Sequence, residues 1–204
     1  MNADGVRRTD AARRDVEIPM AVDYERLQRL VREMLEAMGE DPDREGLLET
    51  PRRVASFYRD FLEYDPGRLD TTFSSISHNQ MVAVTGMRVW SLCEHHLLPF
   101  WCDISVAYIT GDKVLGLSKF ARIAHKHAHN LSLQEKLVAD IANELIEKLG
   151  TEDVAVLGKG EHLCMTMRGI RTPHRMVSSA LHGQFHKPEQ RAEFLNLVGQ
   201  SNFR

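Results

Sequence analysis

The spacing of apolar residues changes period along this chain, and that change limits the folds open to it. Leu27, Leu30, Val31, Met34, Leu35 and Met38 recur at three- and four-residue steps, the spacing of one helix face, with Asp23 before them as a cap and Gly39 after them as a stop. Thr50 and Pro51 open a second helix, because proline in the first turn gives up no needed hydrogen bond; Val54, Phe57, Tyr58, Phe61 and Leu62 form its apolar stripe. From Met81 to Trp90 and from Asp103 to Ile109 the chain turns to Val, Ile, Thr and aromatics, which favour strands, and Thr110-Gly111-Asp112-Lys113 reads as a turn. Helical spacing returns from Ser118 to about His129. It continues from Leu133 to Leu149, where Leu137, Ile141, Leu145 and Leu149 align ahead of Gly150. Strand-like runs follow at Val154 to Leu157, His162 to Met167 and Met176 to Leu181, and a last helix begins near Pro188. This order predicts an α+β fold: a mainly antiparallel sheet with a packed helix pair, preceded by an N-terminal helical pair. Residues 1–20 carry Arg7, Arg8, Arg13 and Arg14 without apolar periodicity and are expected to form a mobile tail.

Charge and composition exclude several functions. A formal charge of -3, with acidic and basic residues interspersed, gives no basic field for a nucleic-acid backbone, so an anionic ligand must meet a local basic pocket. No apolar run approaches the roughly 18 to 20 residues that span a bilayer, and the polar opening lacks the apolar core of a signal peptide. No membrane partner and a cytoplasmic location are expected. The cysteines are three, Cys93, Cys102 and Cys164, an odd number that argues against a disulfide framework and for metal ligation or burial.

Cys93 and His96 stand three apart just past a strand, where a tight turn can aim a thiolate and an imidazole at one ion. His162 and Cys164 alternate in a strand-like run, so strand parity is expected to point both one way, together with Thr166 and Arg168, while Leu163, Met165 and Met167 face the core. The plainer readings are a buried thiol beside a surface histidine, or a closed zinc site with four protein ligands. Three protein ligands with an open position is instead the pattern of catalytic zinc, which makes hydroxide available near neutral pH, and spare imidazoles beside it suit proton transfer.

Four separated stretches fall in one recognisable order: Cys93-Glu94-His95-His96 with Leu98-Pro99, Gly116-Leu117-Ser118-Lys119 with Ala121-Arg122, Gln134-Glu135, and His162-Leu163-Cys164-Met165 leading to Arg168-Gly169. With them the chain resembles the GTP cyclohydrolase I family over nearly everything after residue 20. The resemblance implies a tunnelling-fold (T-fold) domain at 21–204, helical over about 21–70 and catalytic over about 71–204. It implies Zn2+ held by Cys93, His96 and Cys164, with His95 and His162 as proton-transfer residues and Ser118 assisting the carbohydrate rearrangement. Glu135 would anchor the guanine edge, beside Gln134 as a further substrate-binding residue. Lys119, Arg122 and Arg168 would bind the triphosphate, and Arg53 would reach a neighbouring subunit's site. The implied reaction opens the imidazole ring of GTP, releases formate and forms 7,8-dihydroneopterin triphosphate, the first step of folate and pterin biosynthesis. The implied assembly is a homo-oligomer, usually of ten subunits, with sites at subunit boundaries.

Ser132-Leu133-Gln134-Glu135 also reads as a capping box, which spacing alone would favour over a guanine anchor. Asn130 and Ser132 depart from the arginine and glutamine more usual in the family, which bears on the geometry of the base pocket. His125, His127 and His129 match no family role. They are expected to be solvent-facing or interface residues rather than a second metal pair, and Cys102 is expected to serve packing. Two rival functions remain: a paralogue with the same zinc site that yields a ring-opened or deazapurine-pathway product, and a non-catalytic zinc-binding regulatory module. His95 and His162 argue against the second, since a purely structural site requires neither.

Overall fold

A computed structural model describes residues 21–200, so the expected tail lies outside the described residues. Contacts divide the chain into two units, the division falling between Ser56 and Phe57 in the sequence. In the first, α1 spans Tyr24–Ala37, and the Asp23 carboxylate accepts from the Arg26 backbone N–H at 3.0 Å, satisfying a donor that the first turn leaves unpaired. Val31 and Leu35 are its buried positions, and Gly39 leaves the helix with φ +81°. α2 spans Thr50–Leu62 and straddles the division between the units. The Tyr24 hydroxyl meets Ser56 Oγ at 3.1 Å within the first unit.

The second unit is built on a five-stranded sheet. Its strands are β2 (Met81–Cys93), β3 (Pro99–Ile109), β5 (Leu131–Ser132), β6 (Val154–His162) and β7 (Met176–Leu181), in the spatial order β5-β2-β3-β6-β7. All neighbours are antiparallel except β5, which runs parallel to β2. A separate antiparallel pair joins β1 (Thr72–Ser74) to β4 (Lys113–Leu115). Helices α3 (Leu117–Ala128) and α4 (Gln134–Leu149) cover one sheet face, where Phe100, Ile104, Val106, Phe120, Ile123 and Ile141 are buried together. On the other face Ala107, Ala155 and Leu157 pack with Phe185, from the 3-10 turn Gly183–His186, and with Phe194 of α6 (Pro188–Gln200). Among the described residues no helix is long and apolar enough to cross a membrane.

Strict alternation would put the two halves of β2 on opposite faces, because Val82 and Val84 are even-numbered and Met87 and Val89 odd. All four pack against the same core. The pairing with β3 shifts between Val84 and Met87, and Gly86 takes φ +73° there, a conformation glycine adopts without steric cost. This irregularity inserts one residue and restores the apolar face, and it fixes the direction in which Cys93 points at the strand end.

Two sequence expectations fail locally. The run from His162 to Met167 is not a strand: β6 stops at His162 and the chain turns into a single helical turn, α5 (Leu163–Thr166). Parity therefore does not carry past His162, and Met165 and Met167, expected on the core face, are exposed. The capping box does not form either. Leu133 occupies the N-cap of α4, Ser132 Oγ donates to the Leu133 carbonyl, and Gln134 is buried inside the fold.

His125 and His127 of α3 and His129 at its C-cap are half-buried. His129 stacks on Tyr64 with ring centroids 4.0 Å apart and donates from Nδ1 to the His125 carbonyl, while burial lowers the pKa of His125 below its ordinary value, aided by the nearby His129. His127 Nε2 and Lys126 Nζ both reach Glu144 Oε2 on α4, at 2.6 and 2.8 Å. Burial alone would raise the Glu144 pKa; the His127 and Lys126 hydrogen bonds outweigh it and hold the carboxyl at about 2. Because the folded carboxyl lies below its unfolded value, its stabilisation is complete above about pH 4.5 and fades as pH falls toward 2. Glu144→Gln should cost about 1 to 2 kcal/mol at pH 7, with Lys126 partly screened by solvent. Urea denaturation should show that deficit shrinking below pH 4.5; a deficit independent of pH would contradict the pairing.

Candidate active site

Three strand ends converge at one edge of the sheet. β2 ends at Cys93 and β3 begins at Pro99, with Leu92 paired to Pro99; the next residue, Phe100, pairs with His162 at the end of β6. The connection over residues 94–98 is tight. Cys93 N–H donates to the Leu98 carbonyl at 2.8 Å, and the Cys93 carbonyl accepts from His96 and Leu97. Leu97 has φ +54°, a conformation uncommon for a residue with a side chain, which the closed turn imposes. The turn curls His96 back, so that its Nδ1 lies 3.7 Å from Cys93 Sγ.

Cys164 completes the group from α5. Cys93 Sγ, a His96 ring nitrogen and Cys164 Sγ all lie within 4.8 Å of one another, and this is the one such group of three among the described residues. Tetrahedral zinc with ordinary Zn–S and Zn–N bonds sets its ligand atoms about 3.5 to 3.8 Å apart, and two thiolates with an imidazole are a donor set suited to zinc. The residues fit a metal ion in both spacing and chemistry. Cys164 reaches the group by the turn of α5 rather than by the alternation from His162 that the sequence argument used. Burial raises the Cys164 pKa, and Cys93 raises it further, with Arg168 opposing. A bound cation reverses that balance by favouring the thiolates.

His162 is 8% exposed, and its ring lies flat against Phe100 with centroids 4.4 Å apart and planes 5° apart. Burial lowers its pKa, with His174 acting the same way and Glu135 opposing. His95 sits beside His96 on the 94–98 turn and is exposed, with a Glu94 oxygen 3.9 Å from its Nε2. The pairing of β5 with the end of β2, Ser132 opposite Cys93, brings the start of α4 to the same edge. Glu135 is exposed in the first turn of that helix, whereas Gln134, for which the resemblance implied a substrate contact, has no exposed surface.

Ser118 and Lys119 occupy the first turn of α3 behind its N-cap Gly116, with Ser118 exposed and Lys119 nearly buried. Arg122 lies one turn on and donates to the Pro66 carbonyl at 2.7 Å, which tethers the 66–67 turn and leaves its other N–H groups for a ligand. Arg168 follows α5 and is exposed. No hydrogen bond or ion pair among the described residues joins Ser118, Lys119 or Arg122 to the cysteine and histidine group. Arg53 is exposed on α2 in the first unit.

Some supporting residues escaped the sequence reading. Phe100 is one, since only the pairing of β3 with β6 reveals that it backs His162. Arg175 is another: it donates to Glu161 Oε2 at 2.7 Å and lies over the Trp101 ring, while Thr166 Oγ1 donates to Glu161 Oε1. Glu161 thereby ties both α5 and the strand after it to the sheet.

Burial separates the three thiols, pushing that of Cys102 up to about 12 at zero exposure, with Cys93 also buried and Cys164 partly open. In metal-free protein iodoacetamide should label Cys164 first and Cys102 only on unfolding, as read by peptide mass mapping. Early labelling of Cys102 would contradict the burial.

Comparison with known proteins gives one consistent result. The GTP cyclohydrolase I family profile matches residues 27–199. A protein named GTP cyclohydrolase 1 from Hyperthermus butylicus is 44% identical over 175 residues, covering 85% of this chain and 90% of its own. One of the same name from Corynebacterium glutamicum is 47% identical over 184 residues, covering 86% and 93%, and one from Rhodopirellula baltica is 44% identical over 185 residues, covering 88% and 81%.

Proposed function

This chain belongs to the GTP cyclohydrolase I family, T-fold enzymes that convert GTP to dihydroneopterin triphosphate, and we propose that it does so at a zinc centre held by Cys93, His96 and Cys164. The observation that carries the reading is the convergence of those three donors within 4.8 Å, with His162 buried two residues from Cys164. When bound, zinc at such a centre supplies Lewis acidity and lowers the pKa of a water at its open position toward about 7.

The chain's own residues account for the remaining chemistry. Water adds across C8 and N7 of the purine, its hydroxyl going to C8 while His162 takes up the water's proton and hands it to N7; the bond from C8 to N9 then breaks as the hydroxyl proton passes to N9, leaving a neutral formamide. A second hydrolysis frees formate. His95, exposed at the mouth of the centre, assists opening of the ribose ring, and Ser118 assists the rearrangement of the carbohydrate before the new ring closes with loss of water. Glu135 accepts from the ring N–H and the exocyclic amine of guanine, two donors that one carboxylate can satisfy together. Lys119, Arg122 and Arg168 neutralise the triphosphate. Lys119 and Arg122 lie three apart on one face of α3 near its N-terminus, where backbone N–H groups also favour anions. Local cations of this kind reconcile a net charge of -3 with a highly anionic substrate.

A homo-oligomer, ten subunits in the family pattern, fits the open outer edge of β7 and the exposed Val177 on it, and Arg53 would then complete a neighbouring site. A cytoplasmic location accords with the supply of GTP.

Purified zinc-loaded protein should release formate from GTP together with a pterin chromophore. Formate without pterin would point to the truncated reaction, and neither product, with zinc confirmed bound, would sink the enzymatic reading. Cys164→Ser should lose zinc and turnover together. His162→Ala should keep zinc and lose at least about 100-fold in kcat. Metal analysis beside steady-state kinetics distinguishes the two outcomes.

A further inference from the structure

Residues 158, 160 and 162 of β6 alternate onto one face of the sheet, the face covered by α4. The first two are glycines, so the strand presents a stretch bare of side chains that ends at His162. Gln134, the first residue of α4, lays its side-chain amide in that stretch with no exposed surface. A Cβ on Gly160 would collide with Gln134 Oε1 and the Trp101 carbonyl, and one on Gly158 would stand 2.8 Å from Cys102 Sγ. The two glycines are what lets the amide approach the strand.

The amide's orientation is determined by its partners. Gln134 Nε2 donates to the Gly158 and Met176 carbonyls, each at 3.2 Å, and lies 3.0 Å from Ser178 Oγ. Carbonyl oxygens only accept, so the NH2 end must face them, and Oε1 must face His162 Nε2, 3.1 Å away. An amide oxygen only accepts as well, so Nε2 of His162 carries a hydrogen. Phe100 holds the plane of the same ring.

We propose that Gln134 is a positioning residue for the reaction: it locks the hydrogen of His162 on Nε2 and thereby makes Nδ1 the atom through which His162 exchanges its proton with the purine. The assignment rests on the reading of His162 as a proton donor. It replaces the substrate contact that the resemblance implied for Gln134 with an action through His162. It also gives a reason for glycine at both 158 and 160, since a side chain at either would displace the amide or the thiol beside it.

The test uses zinc-loaded, full-length protein labelled with 15N-histidine, observed by solid-state 15N NMR, with the His162 signals identified by their loss in His162→Ala. The expected neutral ring has hydrogen on Nε2 and a bare Nδ1; hydrogen on Nδ1 would overturn the proposal whatever the activity. Gln134→Met fills the space and removes the strong acceptor. It should keep zinc, hold KM for GTP within about threefold, lower kcat about 10- to 100-fold and let both tautomers of His162 appear. Unchanged kcat with a mixed tautomer would overturn it. Gln134→Glu, whose acid form can donate to the Gly158 carbonyl and still accept from His162, should restore the single tautomer and much of kcat. Failure of that rescue in a folded, zinc-replete variant would count against it. If Gln134→Met does not fold, the wild-type tautomer still decides. Full turnover in His162→Ala would sink the underlying reading of His162 instead, and leave the tautomer measurement standing.

Discussion

The register between β3 and β6 holds this site together. Pairing Phe100 with His162 sets the ends of two strands side by side, and the tight return from β2 to β3 sets Cys93 at the same edge. A slip of one residue would turn Phe100 to the opposite face and leave His162 without its backing ring. The register is in turn held by burial on both faces of the sheet, since Val154 and Val156 pack under α4 while Ala155 and Leu157 pack under α6 and the 3-10 turn. The bulge at Gly86 belongs to the same constraint, because it brings both halves of β2 onto one core and so determines where Cys93 points.

Among the described residues the buried polar side-chain atoms are nearly all matched, and the matching has directional consequences. Gln134 spends its hydrogen-bonding capacity on two carbonyls, a hydroxyl and one imidazole. Glu144 draws Lys126 and His127 across from α3, which ties together the two helices that roof the sheet. The thiol group differs, since burial and the nearness of Cys93 disfavour a charge on Cys164, a situation that a cation relieves. The fold thus supplies rigid neighbours and, among the described residues, one cluster whose donors suit a metal ion.

Much of the architecture was readable beforehand. Asp23, Thr50 with Pro51, and Gly150 mark helix ends in the structure as in the sequence, because caps and breakers act within a few residues of themselves. The run from His162 to Met167 misled for a related reason: alternation of polar and apolar residues over six positions suits a strand, and nothing local announces that the chain turns at Leu163. The alternation that matters runs the other way, from His162 back through Gly160 and Gly158, where absent side chains leave no apolar pattern to read. Ser132 to Glu135 misled by fitting a capping box, while the demand for an amide in the sheet face placed Gln134 indoors and left Leu133 at the cap.

The candidate metal ligands were legible in the sequence by type and spacing, since a thiol or an imidazole carries its chemistry wherever it stands. Cys93, His96, His162 and Cys164 stood out in that way, whereas His95, Glu135 and the cations of α3 were singled out only through the family resemblance. What holds them in position belongs to the tertiary structure alone: Phe100 under His162, Glu161 clamping Arg175 and Thr166, and Gln134 turned inward. Each of these depends on segments distant in the chain meeting across the sheet, and strand register with two-sided packing, rather than any local pattern, decides which of them meet.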